Sequence, residues 1–155
     1  MTRRTLPGTP LLLRHARGDI ATEAREVIIY ATNVHFMKAT FVELPPFERL
    51  RAEYLDDEAY RELQLALMAN PEAGDVIEGT GGLRKLRRPD PRRGKGKRGG
   101  LRVIYYLWTG GDQFWLFTVY DKDQADDLSS QQRKALKELL KQEVELRQKA
   151  KGKTS

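Results

Sequence analysis

A chain of 155 residues with 28 Lys and Arg against 22 Asp and Glu carries a net charge of +6, and its length suits one domain. It has no cysteine, which excludes disulfides and thiolate metal sites and fits a reducing, cytoplasmic setting. No apolar run approaches the ~20 residues that a membrane-spanning helix needs, and three leucines at 11–13 are too few for a secretion signal, so no membrane partner is expected.

Residues 1–36 hold prolines, glycines and no sustained period, with EVIIYATNVHF as a strand-like stretch. Met37 opens the alternating pattern KATFVEL and is read as the physiological start. The folded domain is therefore expected over 37–148, with 1–36 as an upstream extension and 149–155 as a frayed basic tail. In Lys38–Leu44 the period of two puts Phe41 on one side of a strand and Thr40 and Val42 on the other. Pro45-Pro46 stops that strand, and Phe47–Arg51 is a short helix or turn. Asp56 or Asp57 caps a helix through Ala69, with Ala59, Leu63, Ala66 and Leu67 as its apolar stripe. Asn70-Pro71 ends it; 73–77 is a link, and Gly79–Gly82 a flexible turn.

Leu83–Arg88 reads as a short strand and Pro89–Gly100 as a glycine-rich loop. Arg102–Trp108 and Gln113–Tyr120 read as strands apolar on both faces, joined by a hairpin turn at Thr109–Asp112. An acidic loop, Asp121–Asp127, contains Lys122. Ser129 or Ser130 then caps a helix over about 131–148, with Leu136, Leu139, Leu140, Val144 and Leu146 on its apolar side. This order implies an α+β domain with helices packed on one face of a mostly antiparallel four-stranded sheet.

Charge is concentrated between Gly79 and Tyr106. The cations there are Arg84, Lys85, Arg87, Arg88, Arg92, Arg93, Lys95, Lys97, Arg98 and Arg102, with only Asp90 opposing them. A basic loop tethered to apolar strands reads as a held surface for RNA phosphates. The bland alternatives are an edge strand whose lysine and arginines deter aggregation, and a solvated loop with nonspecific attraction. Lys85 and Arg87 share one face of their strand, and Arg102, Ile104 and Tyr106 share one of the next. Tyr106 and Tyr120 read as core or edge-packing aromatics. His15 and His35 both lie in the N-terminal extension, which argues against a two-histidine ribonuclease. No metal-ligand spacing, phosphate-loop motif or nucleophile elbow occurs, so neither a metal nor a cofactor is expected. The cations suit one reaction, attack of a ribose 2′-hydroxyl on the adjacent phosphorus, which needs a proton acceptor, a cation beside the phosphate and a proton donor for the 5′-oxygen.

FVELPPFERL, NPEAGDVIEGTGGLRKLR, GKGKRGGLRVIYY and VYDKDQADDLS together resemble the RelE/HigB toxins of type II toxin–antitoxin systems, the HigB-like branch most closely, over residues 37–140. The resemblance implies a compact microbial-ribonuclease fold and cleavage of messenger RNA, commonly in the ribosomal A site. It also implies neutralisation by a neighbouring antitoxin of the helix-turn-helix type. It assigns Arg102 as phosphate clamp, Lys85 and Arg87 as transition-state stabilisers with Lys85 as base, and Lys122 as the aid to the leaving group. Arg84, Arg88, Arg92, Arg93, Lys95, Lys97 and Arg98 would then contact messenger or ribosomal RNA. RelE-type relatives often carry a late tyrosine where this chain has DDLSS, which leaves the general acid open. Two other readings are a noncatalytic basic module for RNA or ribosomes and a gyrase inhibitor of the ParE side of the superfamily.

Overall fold

The structure, a computed structural model, describes residues 12–17, 23–30, 36–94, 96, 100–108, 113–123 and 127–153. The strands are β1 (Leu12–Arg17), β2 (Glu23–Tyr30), β3 (Phe36–Glu43), β4 (Asp75–Val76), β5 (Arg84–Arg88), β6 (Leu101–Trp108) and β7 (Gln113–Asp121). The helices are α1 (Pro45–Tyr54), α2 (Asp57–Ala69) and α3 (Ser130–Lys153). The class is α+β. One sheet runs in the order β1-β2-β3-β7-β6-β5-β4, with β3 and β7 parallel and every other pair antiparallel.

The expected four-stranded sheet is thus too small. β3 to β7 form a five-stranded mixed sheet, the link at 73–77 contributes β4, and β1 and β2 extend the β3 side. The Thr109–Asp112 turn lies outside the described residues, although the strands it joins pair from Trp108 and Gln113 onwards.

Each helix starts where local chemistry allows. Proline occupies the first turn of α1, where a missing N–H costs nothing. The Asp56 carboxylate accepts the Ala59 N–H at 2.7 Å and caps α2. At α3 the Gln132 N–H donates to Ser129 Oγ at 3.1 Å while the Ser129 N–H donates to Gln132 Oε1 at 2.8 Å, a reciprocal capping box. Ser129, not Ser130, is the cap. The helix continues through the residues expected to fray, as far as Lys153.

Helices cover both faces of the sheet, not one. Phe47, Tyr54, Tyr60, Leu63 and Leu67 of α1 and α2 pack against Phe41, Leu101, Val103, Tyr105, Phe114 and Leu116. Leu136 and Leu140 of α3 pack on the opposite side with Val42, Leu83, Ile104, Trp115 and Phe117. The cause is in β6 and β7, whose successive residues are all apolar: a strand apolar on both faces needs cover on both. Leu146, expected on the apolar side of α3, is exposed.

One irregularity decides what lies beneath α3. Ile104 pairs with Thr118 but Tyr105 pairs with Leu116, so Phe117 is an extra residue in β7. The bulge resets the alternation. Phe114 and Leu116 face α1 and α2, yet beyond the bulge it is Val119 that does so. Tyr120 is thereby turned to the α3 face, where it packs against the second core.

Candidate functional site

Three basic residues singled out by sequence, Lys85, Arg87 and Arg102, lie at one end of the α3 face, and the backbone of a fourth, Lys122, adjoins them. Arg87 pairs with Arg102 across β5 and β6, and Arg102 pairs with Tyr120 across β6 and β7. Directly opposed residues project to the same side, and adjacent strands lie ~4.8 Å apart, so this row spans ~10 Å. One rung inward Lys85 pairs with Ile104 and Ile104 with Thr118. Just past the end of β7 the Lys122 N–H donates to the Gly100 carbonyl at 3.1 Å, which holds the Lys122 backbone next to this row. Lys85, Arg87 and Arg102 therefore occupy two adjoining rungs of one face, with Lys122 just past the strand end.

Their environments differ. Arg87 is exposed. Arg102 is 4 % exposed, and one of its terminal nitrogens donates to the Leu101 carbonyl at 3.2 Å. Burial, reinforced by the like charge of Arg87, lowers the Arg102 pKa. Arg87 is thus the guanidinium of this row that meets solvent, and Arg102 a fixed positive charge beside it. Lys85 Nζ donates to Asp127 Oδ1 at 3.1 Å. This ion pair sets Lys85 Nζ beside the Asp127 carboxylate.

Sequence reading missed three members of the cluster. Arg133, in the first turn of α3, donates from Nη2 to Asp127 Oδ2 at 3.2 Å. Asp127 thus holds cations from β5 and α3 at once. Burial works to raise its carboxyl pKa, but the Leu128 N–H and the charges of Lys85 and Arg133 outweigh it, and the net shift is downward. Tyr120 is the third. Burial first, then the Asp127 charge, pushes its hydroxyl up to about 12 against the pull of Arg102 and Arg133, so it stays protonated at neutral pH. The Tyr120 hydroxyl and Arg133 Nε are both buried without a hydrogen-bond partner. No local motif marks these residues. The bulge sets the face of Tyr120, and the packing of α3 brings in Arg133.

The remaining basic residues divide differently. Arg84 pairs with Tyr105 and Arg88 with Leu101, so both lie on the face covered by α1 and α2. Arg84 bonds the Gly74 carbonyl at 2.8 Å and Glu72 Oε1 at 2.9 Å, which ties β5 to the segment before β4. Arg88 is half-buried, and burial lowers its pKa against the pull of Glu62. Arg92 makes a two-pronged contact with the buried Asp90, both bonds at 2.8 Å, donates to the Glu53 carbonyl and lies over the Tyr54 ring. It fastens the start of the basic loop to α1. The side chain of Arg93, and Lys95, Lys97 and Arg98, lie outside the described residues. At the far end of the loop, a side chain on Gly100 would run into the Arg88 carbonyl oxygen, so glycine lets the loop close against β5.

Among the described residues no group of three His, Asp or Glu side chains is placed to hold a metal ion, and no helix is long and apolar enough to cross a membrane. No family model matches the chain.

Proposed function

We propose that this protein is a metal-independent endoribonuclease of the RelE/HigB kind. In this reading it is a cytoplasmic toxin that cuts messenger RNA in the ribosomal A site and is held in check by a helix-turn-helix antitoxin. The observation that carries the reading is the row Arg87–Arg102–Tyr120, with Lys85 on the adjoining rung of the same face and Lys122 just past the strand end. Fixed cations beside a proton donor match the needs of 2′-hydroxyl attack. The 2′-oxygen bonds to phosphorus and releases its proton to solvent. Arg87, Arg102 and Lys85 offset the charge growing on the phosphate oxygens. The bond to the 5′-oxygen breaks, and that oxygen takes a proton from the Tyr120 hydroxyl or from Lys122. Weak acids and bases of this kind act slowly unless the strand is held in reactive geometry, a task assigned here to the ribosome.

The test is purified protein with programmed ribosomes and messenger RNA in the presence of a chelator. New 5′-hydroxyl ends and 2′,3′-cyclic phosphates are expected. Arg87→Ala, an exposed substitution, should lower cleavage by about a hundredfold or more while the melting temperature holds. RNA or ribosome binding without new ends would replace this reading with a noncatalytic module, and DNA damage on expression without RNA cleavage would replace it with a gyrase inhibitor.

A further inference from the structure

We propose that Lys85 and Arg133 form a cradle for a phosphodiester of the RNA strand, and that the Asp127 carboxylate fills this cradle as a displaceable latch. The proposal deepens the ribonuclease reading and rests on it for the identity of the ligand.

Asp127 presents two oxygens to two cations from different elements, Lys85 of β5 at 3.1 Å and Arg133 of α3 at 3.2 Å. Two oxygens on one carbon resemble the two non-bridging oxygens on one phosphorus, so a pair of cations that spans the first can span the second. Arg133 is only partly used. Asp127 takes a terminal nitrogen, and Nε is buried with no partner. An oxyanion bound side-on would take Nε and a terminal nitrogen together. The Tyr120 hydroxyl is in the same condition. These two are among the three buried side-chain polar atoms without a partner in the described residues; the third, on Gln64, is on α2. Orphan donors gathered at one place point to a ligand that satisfies them.

Charge gives the direction of exchange. Among the described residues Asp127 is paired with Lys85 and Arg133, and its charge is felt by Arg102 and Tyr120, with Arg87 beside Arg102. Asp127 is 44 % exposed at its side chain and Arg133 41 %, and ion pairs this open to water are weak. A strand bringing one negative charge per nucleotide, with neighbouring phosphates for Arg87, can displace it.

The experiment measures binding of a short single-stranded RNA, made uncleavable by a 2′-O-methyl group at each nucleotide, across a range of salt. Asp127→Asn keeps an acceptor for the Leu128 N–H and removes the competing charge, so it should tighten binding by roughly fivefold. Arg133→Gln should reduce the slope of log affinity against log salt by ~1, and Arg133→Lys should restore it. An oligoglutamate of equal charge serves as the second probe. Unchanged RNA affinity in Asp127→Asn, an unchanged slope in Arg133→Gln, or equal tightening of both probes would overturn the proposal, the last in favour of an acidic protein partner. The ribonuclease reading is judged separately by the cleavage products. A protein that cuts RNA but shows flat binding responses loses only the latch. One that shows the expected responses and makes no cyclic phosphate loses only the catalysis.

Discussion

Tyr120 shows how much one side chain's surroundings matter. In the sequence it is one more aromatic in an apolar strand. In the fold it stands directly across from Arg102, with its hydroxyl buried and its pKa pushed to about 12, burial being the larger cause and Asp127 the next. A protonated hydroxyl can donate to a departing 5′-oxygen, so Tyr120→Phe should slow cleavage by about a hundredfold or more. The same shift has a consequence for stability. The folded pKa lies above the ordinary value of 10.0, so the neutral form is favoured by folding. Its contribution is full below the unfolded pKa and is lost as pH rises toward about 12. Denaturant unfolding of wild type and Tyr120→Phe should therefore show wild type losing ground to the variant across that alkaline window. Parallel curves would mean that the phenol is not held as described. Tyr105 is also raised by burial and titrates in both proteins, so the difference isolates Tyr120.

Among the elements, α3 connects stability to the candidate site most directly. Its capping box fixes where the helix starts, and Arg133 sits in its first turn, one residue beyond Gln132. Ser129→Ala should cost about 1 kcal/mol and speed hydrogen exchange of the Gln132 amide, since the side-chain acceptor for that N–H is gone. An unchanged melt together with unchanged exchange would show that tertiary packing alone holds this turn. Arg92 does a similar task for the basic loop: held by Asp90, it donates to the Glu53 carbonyl and lies over the Tyr54 ring at the end of α1. Both ends of the loop are thus anchored, one by the Arg92 contacts with α1 and the other by the close approach at Gly100.

For the molecule as a whole, the two-sided sheet separates the interior into two cores. Leu63 belongs to the core under α2 and Leu136 to the core under α3. Leu63→Ala and Leu136→Ala should each cost about 2–5 kcal/mol, and their sum should hold to within ~0.5 kcal/mol because the sheet lies between them. Equilibrium unfolding of the two single variants and the double would check this, and a coupling well above that margin would show that the cores deform together. The layout also suits the proposed activity. The candidate cations lie where α3 begins and its cover ends, so the same face is apolar under the helix and charged beyond it.

The sequence by itself determined the strands β3, β5, β6 and β7, the helices α2 and α3, and the face shared by Lys85 and Arg87, because these follow from periods of two and 3.6 and from caps that act within a few residues. It also held, unused, the evidence for a covered second face, in the unbroken apolar runs of β6 and β7. Only the tertiary structure decided the parallel pairing of β3 with β7, the bulge that turns Tyr120 beneath α3, and the meeting of Lys85, Asp127 and Arg133. Each of these joins residues far apart in the chain. Pairing and packing across such separations are set by the competition of whole surfaces for burial, and no local pattern records its outcome.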